Sequence, residues 1–331
     1  MYVKRHYSLW MTIRWSRKPL IYGMLYSAII IVFYRMSEVP FTLAWEPISV
    51  IGVAVAFYLG FKNNSSYDRT WEARKIWGAI VNDSRKFTTA VLTMLESKDG
   101  ESNQVLKKEM IYRHIAWMLA LKHALRVKKS WEHNEDPKKL KFAPRYCDEY
   151  VGGVDAEVKK YLSESEFAYF KTKGNIPSHI LKKQSEEIEK MKNDGLISDY
   201  KQVWLHQIIS SLYDDQGMCE RIKNFPLPRQ YASTALWINY VFCALIPFGL
   251  LNIFEQSQVM FVWLTIPFSG LIIWVFFLMD KIGDYSENPF ESAYNDVPIS
   301  SIARAIEIDL LEMLEEKNTP EPYPVENGFL M

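Results

Sequence analysis

Four runs of the chain carry no charged residue. They cover residues 19–34, 47–61, 230–254 and 256–279, with Glu255 alone between the last two. A helix rises about 1.5 Å per residue, so about 20 apolar residues cross the hydrocarbon core of a bilayer. The third and fourth runs reach that length unaided; the first and second fall short and need help from their neighbours. The pattern predicts four transmembrane helices. The second run ends abruptly: PISVIGVAVAFYLGF gives way to Lys62, Asp68, Arg69, Glu72, Arg74 and Lys75.

Between the second and third runs, residues 62–229 are water-soluble by composition, and their apolar positions recur at helical spacing. In 105–127, Ile111, Ile115, Met118, Leu119 and Leu125 share a face, Arg113 and Lys122 stay polar, and Ser102 or Asn103 caps the start. Further helices are predicted over 155–173, 179–193 and 199–224, with breaks at Gly174–Pro177 and Asp194–Gly195. No alternating strand pattern appears, so the chain reads as an all-α membrane protein. Its parts are 1–61 (N-terminal segment and two spans), 62–229 (cytoplasmic helical region), 230–279 (two spans), 280–315 (post-membrane segment and helix) and 316–331. The last helix is amphipathic over about 299–314. The Pro- and Glu-rich tail after it is expected to be flexible.

Charge and cysteine usage narrow the function. The 331 residues carry a formal net charge of zero, which gives no case for a nucleic-acid partner. Hydrophobic residues make up 49% and charged residues 24%, an average over lipid-facing and water-facing parts. Cys147, Cys219 and Cys243 form no CxxC and are expected as free thiols. The first twenty residues lack a signal-peptide pattern. Lys4, Arg5, Arg14, Arg17 and Lys18 precede the first span, so the positive-inside rule puts both termini and the middle region in the cytoplasm, as in an inner (plasma) membrane protein. No GxSxG, Walker A or HExxH motif is present, and no enzyme activity, cofactor or metal is expected.

The second span has two distinct strips. At about 100° per residue, Val53, Phe57 and Phe61 lie within about 80° of one another. Asn64, Asp68 and Trp71 fall on the same face if the helix continues. Beside them run Gly52, Ala56 and Gly60, small residues spaced for close helix packing. In a ring of copies, the small strip would pack on a neighbour. Val53, Phe57 and Phe61 would then face the axis, where bulky apolar rings gate by excluding water. A lipid-facing or helix-facing stripe is the plainer reading of the same residues.

Three stretches in order carry a resemblance: LGFKNNSSYDRTWEARKIWG (59–78), GMCERIKNFPLPRQY (217–231) and ENPFESAYNDVPISSIARAIEIDLLE (287–312). Together with the four-span pattern, they resemble the bestrophin family, in its bacterial branch, over roughly residues 1–315. The resemblance implies a homopentameric ion channel with one axial pore. Its neck falls on Val53, Phe57 and Phe61, and a polar vestibule falls at Asn64 and Asp68. A second, cytoplasmic constriction falls on NIPSHIL, with Ile180 first, then Ser178 or His179. Animal members follow Asn-Pro-Phe with a dense acidic cluster that binds calcium. Here only Glu291 and Asp296 stand nearby, too few for an ion that wants six to eight oxygens, so no calcium activation is expected. The permeant ion is chloride by the family's majority. Sodium remains open, because an apolar neck chooses no charge: Asp68 would favour cations and Lys62 and Lys75 would offset it.

Other chemistry-bearing residues read as structural. His114 and His123 lie about 180° apart on one helix and build no metal site. His133, Glu132, Glu135 and Asp136 read as a solvated charge run. Asp214, Asp215, Glu220 and Arg221 suit ion pairs between cytoplasmic helices, and Arg69, Glu72 and Arg74 suit ties from the second helix to its neighbours. Pro247 and Pro267 sit inside spans, where they can kink a helix. A transporter would need a charged group within the spans, and none is there. A non-conducting membrane scaffold remains an alternative.

Overall fold

The computed structural model describes residues 1–37, 41–95, 100–133, 153–257, 259–293 and 295–331. Glu135, Asp136, Cys147 and most of the polar loop around them lie outside these residues. The described residues form ten α-helices: α1 (Leu9–Met36), α2 (Trp45–Met94), α3 (Gly100–Arg126), α4 (Gly153–Val158), α5 (Glu164–Lys171), α6 (Ile176–Asn193), α7 (Asp199–Asn224), α8 (Arg229–Ser257), α9 (Thr265–Asp284) and α10 (Ile299–Met313). Among them there is no β-strand, only isolated bridges. Four helices, α1, α2, α8 and α9, are long and apolar enough to cross a membrane.

Two compact units divide the chain, and α2 contributes to both. One comprises residues 4–69 and 226–287 and holds the four candidate spans. In it α1 packs on α9 where glycines remove side-chain bulk. A Cβ on Gly270 would overlap Met24 Cγ, and one on Gly23 would lie 3.1 Å from Ile273. Small residues let membrane helices approach closely, because packing rather than hydrophobic exclusion holds them together. Trp274 Nε1 donates to Ser16 Oγ at 2.8 Å, and Tyr26 donates to the Ala244 carbonyl at 2.9 Å. Pro247 lies inside α8, as expected. Pro267 stands in the first turn of α9, after a 3-10 turn at Val259–Leu264, and so opens a helix rather than kinking one.

The other unit comprises 1–3, 70–225 and 288–331 and is packed around α3. Here the amphipathic reading of α3 needs correction. Ile111, Ile115, Met118 and Leu119 are buried, but so are Arg113 and Lys122. From Met110 to His123 the helix is buried on nearly every side, so the charges on that stretch need partners. Arg113 pairs with Glu166 at 2.8 Å and Lys122 pairs with Glu157. The helix begins at Gly100, so Ser102 and Asn103 lie within its first turn rather than ahead of it. The single helix expected over 155–173 is two: Leu162 is extended, and Ser163 caps α5 in a capping box with Glu166. α7 spans the predicted residues, and α10 ends one residue early.

The tail after α10 is not free. Phe329 and Met331 are buried, and Phe329 packs on Tyr2 with the rings tilted and centroids 5.0 Å apart. Val3 N–H donates to the Gly328 carbonyl at 2.9 Å, and Ser301 N–H donates to the Met331 carbonyl at 2.7 Å. Composition pointed to flexibility, but two terminal apolar side chains outweigh it by burying against the helical unit.

Candidate functional site

Val53, Phe57 and Phe61 lie on one exposed side of α2. They are 69%, 68% and 53% exposed, on the same helix as Val50 at 68% and alongside exposed apolar side chains on α1, α8 and α9. The helix turns them to one side, and the other side explains why. Ile48, Val55 and Leu59 are buried against Ala235, Phe242, Ile246 and Leu250 of α8. Phe57 and Phe61 meet edge to face, with centroids 4.9 Å apart. Asn64, Asp68 and Trp71 are exposed as well.

The small strip divides. Gly52 is buried within the subunit: a Cβ there would lie 2.7 Å from the Phe242 ring. Its smallness serves the α2–α8 contact of one chain, which corrects the expectation that it packs on a neighbouring copy. Gly60 has nothing within 4 Å of its Cβ position, and Ala56 is half-buried.

The cations that follow the apolar run have distinct fates. Lys62 is buried and its Nζ lies 2.8 Å from Asp280 Oδ1 on α9. Beside it, Asn63 Oδ1 occupies the space where a Gly283 side chain would stand, so a larger residue at 283 would displace the Asn63 amide. Arg69 Nε donates to the Glu287 carbonyl at 2.9 Å. Glu287 also accepts from Arg229 at 2.6 Å. Lys62 therefore does not offset Asp68 from the vestibule side. The sequence held no signal for this pair, because Lys62 and Asp280 are 218 positions apart.

The cytoplasmic constriction also needs correction. Ile180 is fully buried, with Leu181, Gln184 and Ile188 on the inner face of α6, and cannot line an opening. Asn175 caps α6 and Pro177 lies in its first turn, which fixes that register. Ser178 and His179 are half-buried. Ser178 Oγ accepts from Gln216 Nε2 at 2.7 Å, and its carbonyl accepts from Tyr213 at 2.9 Å.

The two acids after Asn-Pro-Phe are held by the protein's own donors. Glu291 accepts from His133 N at 3.2 Å and lies 2.7 Å from His133 Nδ1. Asp296 accepts from Arg126 at 3.1 Å and from Ser292 N at 2.6 Å, and burial raises its pKa to about 7. Glu132 pairs with Lys223, so it belongs to a buried ion pair rather than a solvated run. His114 is a packing residue: it stacks on Phe87 at 4.9 Å, and burial lowers its pKa to about 3. Arg221 pairs with Glu72. Asp215 is buried beside Asp83, and burial raises its pKa to about 7.

Comparison with known proteins agrees with this architecture. The model described as "Bacterial/Fungal Bestrophin protein" matches residues 13–312. Voltage-dependent anion channel-forming protein YneE of Salmonella typhi is 30% identical over 296 residues, covering 88% of this chain and 83% of its own length. Voltage-dependent anion channel-forming protein RSc3414 of Ralstonia nicotianae is 28% identical, covering 83% of this chain and 78% of its own. A crystal structure of a bacterial bestrophin homologue from Klebsiella pneumoniae superposes with a TM-score of 0.75. It covers 91% of this chain and 98% of its own, and at 24% identity that likeness speaks for the fold. With the family model matching most of its length, this chain belongs to the bacterial and fungal bestrophin family.

Proposed function

We propose that the protein is an anion channel: a homopentamer in the inner membrane, with both termini cytoplasmic and one axial pore. The observation that carries the reading is the exposed strip of Val53, Phe57 and Phe61 on α2 in a chain of this family. Around the axis, five copies of the strip make an apolar neck that passes ions when wetted and stops them when dry. Asn64 and Asp68 open the vestibule below it. Ser178 and His179, not Ile180, are the residues of the cytoplasmic segment left to meet the ion path. The relatives' description as anion channel-forming proteins supports chloride as the permeant ion, and the own-donor partners of Glu291 and Asp296 support conduction without calcium activation. Asp68, exposed and close to the neck, is the one observation favouring a sodium-conducting version.

Two measurements test the proposal. The mass of the purified oligomer is expected at five subunits. Proteoliposomes loaded with chloride are expected to release it faster than empty liposomes without added calcium. A monomer, or vesicles as tight as the empty ones, would leave a non-conducting scaffold as the better account.

A further inference from the structure

No acidic residue occurs before Glu38, yet the chain up to that point carries Lys4, Arg5, Arg14, Arg17, Lys18 and Arg35. Three of these cations gather on one face of α1. At about 100° per residue, Arg17 and Lys18 lie within about 60° of Arg14, and Ile21, Leu25 and Val32 fall within the same arc farther along. All six side chains are exposed. The opposite face is buried. Ser16, Gly23, Ser27 and Ile30 lie there, with Gly23 against Ile273 and Ser16 accepting from Trp274 of α9. One side of α1 thus packs on α9, and the other is basic at its start and apolar beyond. Arg14, Arg17 and Lys18 make no ion pair among the described residues. Neighbouring groups of the same unit are already committed: Lys281 donates to the Trp15 carbonyl at 3.0 Å, Asp280 is held by Lys62 and Glu287 by Arg229.

We propose that Arg14, Arg17 and Lys18 bind an anionic phospholipid, its phosphate among the three cations and its acyl chains along Ile21, Leu25 and Val32. The inference rests on the membrane placement of the four spans and not on conduction. Side chains three and four apart on a helix stand about 5–6 Å from one another at Cβ, close enough for one phosphate to accept from two of them. Depth fits as well. The charge-free run of residues 19–34 spans about 24 Å, shorter than a hydrocarbon core of about 30 Å. The cations therefore start at the acyl boundary, from which their long side chains reach out to the phosphates. A zwitterionic headgroup brings its own cation and offers no net charge to this face, whereas an anionic one neutralises part of it. A second copy of the chain is the poorer occupant. Of the acids at this end of the unit, Asp280 and Glu287 are taken, and Asp68 stands on the exposed strip of α2.

The test is lipid binding to the delipidated full chain in an uncharged detergent, read by native mass spectrometry. Dioleoyl phosphatidylglycerol is compared with dioleoyl phosphatidylcholine, and inorganic phosphate is added as a competitor. The anionic lipid is expected to bind about tenfold more tightly than the zwitterionic one. Arg14→Gln, Arg17→Gln and Lys18→Gln together are expected to bring the ratio close to one, while Lys4→Gln with Arg5→Gln keeps most of it. Equal binding of the two lipids by the wild type overturns the proposal. So does a wild-type ratio in the triple variant, or displacement of the lipid by an equal concentration of phosphate, which would mark a site for a free anion. If the triple variant does not insert, Arg17→Gln and Lys18→Gln are made singly, and each is expected to lower the ratio about two- to threefold. An unchanged ratio in both overturns the proposal equally. A protein that binds the anionic lipid at these residues but releases no chloride from proteoliposomes upholds the site and overturns the channel reading alone.

Discussion

Lys62 and Asp280 form a buried ion pair, Nζ to Oδ1 2.8 Å, that ties the polar end of the apolar run on α2 to the last turns of α9. Breaking such a pair strands a charge in a low-dielectric surround, at a cost of about 3–5 kcal/mol, whereas replacing both partners by apolar groups is often neutral. Lys62→Ala and Asp280→Ala are each expected to lower the melting temperature sharply in detergent. The double variant Lys62→Met/Asp280→Leu is expected to recover most of the loss and to keep the wild-type ion preference. A single variant as stable as the wild type would mean the pair contributes nothing.

Gly52 and Gly60 look equivalent in sequence but differ in surroundings. Gly52→Ala places a methyl 2.7 Å from the ring of Phe242, itself packed on Phe276 at 4.6 Å, so something must shift. A destabilisation of about 1–3 kcal/mol is expected, partly relieved by Phe242→Leu. Gly60→Ala meets nothing inside the subunit and should stabilise the dissociated chain slightly, by about 0.5–1 kcal/mol, through helix propensity alone. Melting curves of both variants decide the matter.

Asp215 makes stability depend on pH with a definite sign. Burial raises its pKa from 3.8 to about 7. Between those values the folded protein holds a proton that the unfolded chain has released. Its contribution is therefore favourable at acid pH, falls as pH rises through that window, and is fully lost above about 7. His114 works the other way: lowered from 6.5 to about 3, it costs stability as pH falls below 6.5. Asp215→Asn is expected to stabilise at pH 8 and to have little effect at pH 4. Equal shifts at both values would contradict the burial argument.

Phe329 anchors the segment after α10. Phe329→Ala removes a fully buried ring that faces Tyr2, and a loss of about 3–5 kcal/mol is expected from the transfer and cavity terms. Limited proteolysis should then cut the Pro-rich segment at a rate well above that of the wild type. Indifference to the substitution would restore the flexible tail that composition suggested.

The readable part of the fold was the part written in local periodicity. Charge-free runs located the four candidate spans, and the apolar spacing of 199–224 gave α7 without error. The face carrying Val53, Phe57 and Phe61 followed from helical geometry, because exposure on one helix is a periodic property. What failed was whatever depended on a distant partner. Lys122 reads as a surface residue until Glu157 is brought to it, and Lys62 as a vestibule charge until Asp280 is. Ile180 was placed by a motif with little to fix its register, and its α6 cap turned it inward. Gly52 carried the right signal, close packing, but the partner was Phe242 of the same chain.

The account stands most directly on the apolar neck, and one variant tests it: Val53→Ala, Phe57→Ala and Phe61→Ala together, with chloride efflux measured from proteoliposomes of matched protein content. Widening and wetting the constriction should raise the efflux rate well above the wild type. The same rate in the variant and the wild type, with the oligomer intact, would contradict a neck at these three residues.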